Sequence, residues 1–214
     1  MDKNINLKKL ERMAGLAFKN GLRLHRDSRL LFKNKAYPSA FLLSVLAIEE
    51  LSKALLIEHQ WWHSLCDGRM KPNEEEECLK IIYYHEVKQS NFVYFFDTLG
   101  TKSKFLKKFL DGSIESAKQN ATYVGLKKFG RKIVLGSKIN NPFKTTSKKA
   151  KKIITLLNDK LLELCLMHIK KTGGLDAETI TKQFNRQLYN KLKKEWPTIS
   201  RSAKLKLKKI EAVK

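Results

Sequence analysis

Apolar residues recur at helical spacing from the start of the chain. The positions of the first segment that recur at this spacing are Leu7, Leu10, Ala14, Ala17, Leu24 and Leu31. This spacing predicts an amphipathic helix over about residues 7–33. A turn is predicted over residues 34–38, because Pro38 is favoured at the first position of a following helix.

The second predicted helix spans about residues 38–65 and is apolar nearly all round in its first half. A helix without a polar face is typical of the centre of a bundle, so this segment is expected to be buried. A third helix is predicted from the N-cap Asn73 to about residue 99. Residues 74–77 are all glutamates and fill its first turn, where the helix dipole favours anions.

The pattern changes after a short fourth helix, which is predicted over about residues 103–120 with an interruption at Gly112. Residues 121–146 hold two short apolar pieces around a basic turn and close near Pro142. This arrangement predicts a hairpin or an irregular insert.

Three more helices are predicted after the insert, over about residues 147–171, 176–195 and 200–214. Ser147 and Asp176 are the expected caps of the first two, and Gly173 with Gly174 ends the first. The elements together predict an all-α protein. We expect a helical domain over residues 1–172, with the insert at about 121–146, and a basic helical extension over 173–214.

Charge is concentrated in the second half of the chain. Lys and Arg number 44 against 21 Asp and Glu, and residues 101–214 carry +21 of the net charge of +23. A polyanion is therefore the expected partner, and nucleic acid is favoured over an anionic membrane surface. The expected RNA-binding residues are Lys127, Lys128, Arg131, Lys132, Lys148, Lys149, Lys151 and Lys152. A last basic run at residues 204–209 leaves open a helix that lies on a membrane.

Composition excludes several classes of protein. The three cysteines form no CxxC pair, which argues against a disulfide scaffold or a zinc ribbon. The longest apolar stretch, residues 39–48, is about half of a membrane span. No phosphate-binding glycine motif is present. We expect a soluble, cytoplasmic protein without a cofactor.

Charged residues within the apolar second helix are the first candidates for chemistry. Glu49, Glu50 and Lys53 follow the run SAFLLSVLAI, and charges in such a helix are costly unless they are paired. Two interpretations stay open. The pair Glu50 and Lys53 fixes the register of the bundle, or it forms a polar patch that opens onto a cleft.

Histidines provide the second group of candidates. His85, Lys88 and Gln89 share one helical face, and His is the natural acid or base near neutral pH. His59 and His63 are four residues apart, but Gln60 stands where the HExxH metal motif needs Glu. No metal site is therefore expected.

The segment Tyr37–Leu56, YPSAFLLSVLAIEELSKALL, resembles the AbiV family of bacterial phage abortive-infection proteins. That family shows a YP-x-A…L-A-x-EE-L-G-K-A pattern, then H-x-x-K, then a YVD-like element. His85 to Lys88 is similar to the second element. Tyr123 to Gly125 is similar to the third, with Gly125 where Asp is usual. The similarity extends over about residues 8–170.

The resemblance implies a HEPN-like helical bundle that dimerises. Many HEPN proteins are metal-independent ribonucleases and toxins, with an Arg four to six residues before a His. Here Lys80 precedes His85 and Lys53 precedes His59 at that spacing, and neither position is Arg.

An RNA-cleaving effector of phage defence is the function that we expect. His85 would act as general base or acid, Lys53 and Lys88 would stabilise charge on the phosphate, and Glu50 would orient His85 or Lys53. Expected partners are RNA, a second copy of the chain, and a phage-encoded activator or another regulatory protein. The alternative is a binding module without catalysis, which blocks the translation machinery by occupancy.

Overall fold

The computed structural model describes residues 7–66, 76, 80, 82–96, 106–126, 128–129, 132–173 and 175–213. The helices whose bounds lie within the described residues are α1 (Leu7–Lys33), α2 (Tyr37–Cys66), α3 (His85–Phe96), α4 (Lys107–Leu110), α5 (Ser113–Thr122), α6 (Ser147–Lys170), α7 (Glu178–Thr181), α8 (Arg186–Glu195) and α9 (Arg201–Glu211). Two two-residue strands and one 3-10 turn lie between α5 and α6. The protein is all-α, as predicted.

Helix α2 lies at the centre of the bundle and packs against α1, α3, α5 and α6. Its apolar side chains, including Val45, Ile48 and Leu51, are fully or almost fully buried. Helices α1 and α2 approach closely at Gly21, where an added Cβ would lie 3.3 Å from the carbonyl oxygen of Ala47. The predicted central helix is therefore confirmed, together with the boundaries of α1.

The predicted third helix is interrupted by a turn, whereas residues 76 and 80 are helical, as the sequence pattern indicates. Ile82 and Tyr83 form a turn, in which the Tyr83 amide bonds to the Lys80 carbonyl, and α3 starts at His85. Burial of Ile82 in the core fixes this turn. The predicted N-cap Asn73 lies outside the described residues.

The insert between α5 and α6 contains a small hairpin. Strands β1 (Lys128–Phe129) and β2 (Lys132–Ile133) pair antiparallel. An antiparallel bridge joins Gly125 to Asn140, and the 3-10 turn Pro142–Lys144 follows. This turn packs against α5 and α2. The hairpin prediction holds, although the strands lie closer to the basic turn than the apolar pattern indicates.

Two predicted caps are wrong. Thr146, rather than Ser147, is the N-cap of α6, and its side chain accepts from the Lys149 amide. The segment after Asp176 is two helices, α7 and α8, because Asn185 caps a new start at Arg186.

The C-terminal helices α7 to α9 pack onto the bundle. Phe184 packs edge-on against Phe18 of α1 with 5.0 Å between ring centroids, and Trp196 packs likewise against Phe32 at 5.2 Å. The Trp196 indole donates to Thr155 of α6 over 3.0 Å. These side chains belong to the same buried core as α2.

Polar contacts also hold these helices, and we call them the C-terminal contacts. Arg29 of α1 bonds to Glu195 at 2.6 Å, and Asp159 of α6 accepts from the amide of Ser200 at 3.2 Å. Glu58 of α2 accepts from the amide of Asp176 at 2.7 Å. The described residues contain no helix that is both long and apolar enough to cross a membrane.

Candidate functional site

The site is built around Glu49, a carboxylate within the central helix α2. Its side chain is only 2% exposed. Three side chains donate to it: Nδ1 of His85 at 2.6 Å, Nε2 of Gln89 at 2.7 Å and Nζ of Lys118 at 2.9 Å. A buried carboxylate is tolerated only when its oxygens are satisfied in this way.

Helix α5 adds a second carboxylate to the same group. Glu115 lies 2.6 Å from the Lys118 ammonium and 2.9 Å from Nε2 of Gln89. Burial would raise the pKa of Glu115, but hydrogen bonds from Lys118, Gln119 and Gln89 outweigh it and hold this pKa below its usual value. We call Glu49, His85, Gln89, Glu115 and Lys118 the Glu49 cluster.

His85 connects the buried cluster to solvent. Its side chain is 52% exposed, although Nδ1 contacts the buried Glu49. A carboxylate only accepts, so Nδ1 carries the proton of this bond. In the neutral imidazole Nε2 then holds a lone pair. This is the tautomer that a general base requires, and the buried Glu49 fixes it.

Lys88 lies one turn beyond His85 on α3 and is buried. Burial lowers the pKa of its ammonium, whereas the nearby carboxylates Glu49 and Glu50 act in the opposite direction. A cation that has lost most of its water interacts more strongly with a neighbouring anion. Lys88 is therefore positioned among the charges of the cluster rather than on the surface.

Glu50 and Lys53 form a looser pair on the neighbouring face of α2. Their charged atoms are 3.9 Å apart, and each side chain is about a quarter exposed, at 23% and 24%. Glu50 also accepts from Asn20 of α1 over 3.0 Å. The Lys53 ammonium lies 5.8 Å from the centre of the Tyr83 ring. Glu50 thus reaches Lys53, whereas the carboxylate that contacts His85 is Glu49.

Three residues of the cluster offer ligand atoms within 4.8 Å of one another, namely Glu49, His85 and Glu115. Such a set is chemically suited to a divalent cation. In this structure the Lys118 ammonium bonds to both carboxylates and supplies the positive charge that they share. The cation that the two carboxylates hold in this structure is therefore the Lys118 ammonium.

Sequence reasoning found only part of this site. The predicted common face of His85, Lys88 and Gln89 does point towards α2, and Gln89 and His85 meet the same carboxylate. Glu115 and Lys118 were missed. They resemble an ordinary surface pair at i and i+3 on a polar helix, and only the fold brings them to Glu49.

The predicted RNA-binding residues fall in two places. Lys148, Lys149, Lys151 and Lys152 are exposed on the first turns of α6. Lys128 and Lys132 lie in β1 and β2, while Lys127 and Arg131 lie outside the described residues.

The second histidine pair occupies the last turns of α2, away from the Glu49 cluster in sequence. The Nε2 atoms of His59 and His63 are 3.2 Å apart. Partial burial, and then the charge of His63, lowers the pKa of His59. Neither residue contacts Glu49.

Comparison with known families identifies the chain. The model of the HEPN-type AbiV family matches residues 9–163, which is more than half of the chain and includes the whole Glu49 cluster. Comparison with curated proteins and with solved structures gives no significant match. The all-α bundle is the architecture of a HEPN-type domain. The chain therefore belongs to the AbiV family of HEPN-like abortive-infection proteins, which implies a role in phage defence.

Proposed function

We propose that this protein is a phage-defence effector that binds RNA and cleaves it without a metal ion. The observation that carries the proposal is the contact between Glu49 and His85, at 2.6 Å, with the histidine half-exposed. A buried carboxylate that fixes a solvent-facing imidazole is the arrangement of a general base.

The reaction follows from the atoms of His85. Nε2 takes the proton of a ribose 2′-hydroxyl, the 2′ oxygen forms a bond to phosphorus, and the bond from phosphorus to the 5′ oxygen breaks. The leaving 5′ oxygen takes up a proton from solvent or from a protonated second His85. The products carry a 2′,3′-cyclic phosphate and a 5′-hydroxyl.

Lysine side chains assist the step by stabilising charge. The phosphorane-like transition state carries more negative charge on its oxygens than the substrate does, and nearby ammonium groups favour it. Lys53 and Lys88 are the proposed groups, because Lys53 is partly exposed beside the cluster and Lys88 lies among its carboxylates. Glu50 positions Lys53, while Glu49 orients His85.

A homodimer would place two such sets at one cleft, one imidazole neutral and one protonated. The exposed lysines of α6 would hold the RNA backbone without reading its sequence. Arrest of the infected cell through loss of translation is the expected consequence. A phage product or another regulatory protein is the proposed switch.

The test is cleavage of total bacterial RNA by the purified protein, with mapping of the new ends. We expect 2′,3′-cyclic ends, and about a 10²- to 10⁴-fold loss of cleavage in His85→Ala. His63→Ala is the matched control, because it removes an exposed histidine far along α2 from Glu49. The same assay is repeated with extract of infected cells to supply an activator.

The alternative function predicts a different result. Suppose that the Glu49 cluster is only structural and that the protein blocks translation by occupancy. The purified protein then produces no cut ends, either alone or with the extract of infected cells. His85→Ala then stays toxic, whereas replacement of Lys148 and Lys149 by Gln abolishes toxicity. That pattern would overturn the catalytic proposal.

A further inference from the structure

One stretch of the chain carries positive charge without any acidic residue. The thirty residues from Tyr123 to Lys152 include ten Lys or Arg and no Asp or Glu. Like charges of this density repel a second copy of the same surface, so self-association through this stretch is disfavoured. A polyanion is the partner that its charge fits.

The same stretch exposes apolar and aromatic side chains. Phe143 is 88% exposed and Tyr123 is 62% exposed. Five aliphatic side chains nearby in sequence are exposed as well, namely Val124, Ile133, Val134, Leu135 and Ile139. A group of exposed apolar side chains marks a site of interaction, because apolar side chains without a partner are otherwise buried in the core.

Backbone contacts place the two aromatic residues at the same end of the insert. The amide of Asn140 donates to the carbonyl of Gly125 over 2.7 Å, which brings the two segments of chain together. Asn141 accepts from the amide of Phe143 at 2.9 Å, and Pro142 begins the 3-10 turn. Phe143 is thus presented from a capped turn with a proline-fixed backbone.

The insert also lies beside the helices of the Glu49 cluster. The 3-10 turn packs against α2 and α5, and α5 carries Glu115 and Lys118. Thr122, the residue before Tyr123, donates from its hydroxyl to the carbonyl of Lys118 at 2.8 Å. A ligand on the insert is therefore beside two of the helices that carry the Glu49 cluster.

We propose that Tyr123 and Phe143 form a stacking site for single-stranded RNA, with Lys144, Lys148 and Lys149 bound to its phosphates. Exposed rings between lysines are the surface that binds single strands, because unpaired bases offer their faces to aromatic side chains. A duplex hides those faces in its own stack. The inference rests on the proposed function for the choice of RNA among polyanions, and it adds the strand class and the two aromatic residues.

The test measures binding of a labelled, unstructured single-stranded RNA and of a matched duplex by fluorescence anisotropy. His85→Ala protein is used so that the RNA stays intact. We expect tighter binding of the single strand, and about a 5- to 100-fold weaker complex for Phe143→Leu. Phe143→Trp keeps the affinity. Replacement of Lys148 and Lys149 by Gln lowers the slope of affinity against salt for both RNAs.

Leucine is the informative replacement because it keeps apolar character and removes the aromatic face. Equal binding by the His85→Ala protein with and without Phe143→Leu would overturn stacking, as would equal affinity for duplex and single strand. Circular dichroism checks that the variants are folded. We expect no change in the fold, because the Phe143 side chain is 88% exposed and contributes little to the core.

Vesicles with anionic lipids form the second arm of the test. Binding to vesicles that Phe143→Ala abolishes, together with unchanged RNA binding, would assign the insert to a membrane surface instead.

The result of the RNA-binding test is separable from the result of the cleavage test. If Phe143→Leu weakens RNA binding but no protein cleaves RNA, the stacking site stands and the proposed nuclease activity is wrong. If RNA is cleaved and Phe143→Leu changes neither binding nor cleavage, the nuclease stands and the stacking site is wrong.

Discussion

The Glu49 cluster and the C-terminal contacts both bury charged groups, but the two groups differ in whether a titratable side chain extends from them to solvent. In the Glu49 cluster each carboxylate has partners, and the half-exposed His85 extends from it to solvent. Among the C-terminal contacts, the charged groups of Arg29 and Asp159 each keep buried atoms without a partner among the described residues, whereas in the Glu49 cluster such an atom belongs to the neutral amide of Gln89. These unpaired atoms face the interior.

Two strongly shifted pKa values occur at or beside the C-terminal contacts, at Asp159 and at His25, which neighbours Arg29 on α1. Burial raises the pKa of Asp159 to about 6, and burial with the charge of Arg29 lowers the pKa of His25 to about 3. Neither residue reaches solvent, since both are at least nine-tenths buried. A shifted pKa alone therefore does not mark the functional site here. Access of a fixed titratable atom to solvent distinguishes the two groups better.

The largest expected effect comes from Glu49→Gln. The neutral amide leaves Lys118 less compensated and cannot hold His85 in one tautomer as a carboxylate does. We expect a loss of about 3 kcal/mol in the free energy of unfolding and about a 10²-fold or greater loss of RNA cleavage. Urea denaturation and end mapping measure the two quantities.

Glu50→Gln, at the next position of α2, separates the two carboxylates. The sequence-based prediction gave Glu50 the orienting role towards His85 or Lys53. If Glu50→Gln abolishes cleavage and Glu49→Gln leaves it unchanged, the assignment of Glu49 is contradicted. A smaller loss in Glu50→Gln is expected, because the carboxylate that bonds to His85 is Glu49, whereas Glu50 accepts from Asn20 and lies 3.9 Å from the partly exposed Lys53.

Asp159→Asn is expected to act on stability and its pH dependence. A carboxyl whose folded pKa is about 6 rather than 3.8 stabilises the fold below pH 4, and this contribution is lost as pH rises through 6. At pH 7 the ionised group costs roughly 3 kcal/mol, and Asn removes that cost while it still accepts from Ser200.

The measurement compares the two proteins at each pH from 4 to 7. His25 acts in the opposite direction, because its lowered pKa removes stability as pH falls below 6.5. Subtraction of the wild-type unfolding energy from that of the variant cancels His25. A difference that does not change with pH would contradict the raised pKa of Asp159. RNA cleavage by Asp159→Asn at neutral pH is expected to equal that of the wild type.

Glu195→Gln tests the other C-terminal contact with a smaller effect. It leaves the buried guanidinium of Arg29 without its carboxylate, and Glu195 itself is 34% exposed. We expect the free energy of unfolding to fall by about 2 kcal/mol in urea denaturation. Cleavage per folded molecule stays unchanged. Lost cleavage at full stability would place these contacts in the functional site.

The sequence was sufficient for the elements with a strong apolar period. Helices α1 and α2 lie where the spacing indicates, and the burial of α2 follows from its lack of a polar face. The odd charges of α2 do mark a place where polar side chains of three helices meet. The choice between Glu49 and Glu50 was not accessible, because it depends on the angle at which α3 crosses α2.

The contacts between distant segments could not be predicted for the same reason. Lys118 meets Glu49 across 69 positions, and Glu195 meets Arg29 across 166 positions. Each residue alone has the pattern of a solvated helix face. The helix predicted over residues 176–195 ends just before Trp196, and this side chain anchors the C-terminal helices through Phe32 and Thr155.

Removal of divalent cations has the smallest expected effect, which is none. The Lys118 ammonium lies 2.9 Å from Glu49 and 2.6 Å from Glu115 and already supplies a cation between the two carboxylates. Wild-type stability and cleavage should therefore be the same with and without EDTA.

In Lys118→Gln the two carboxylates and His85 keep their ligand atoms close together but lose this cation. Added Mn²⁺ should then raise the melting temperature of the variant and leave that of the wild type unchanged. Inactivation of the wild-type protein by EDTA would show that Lys118 does not replace the metal.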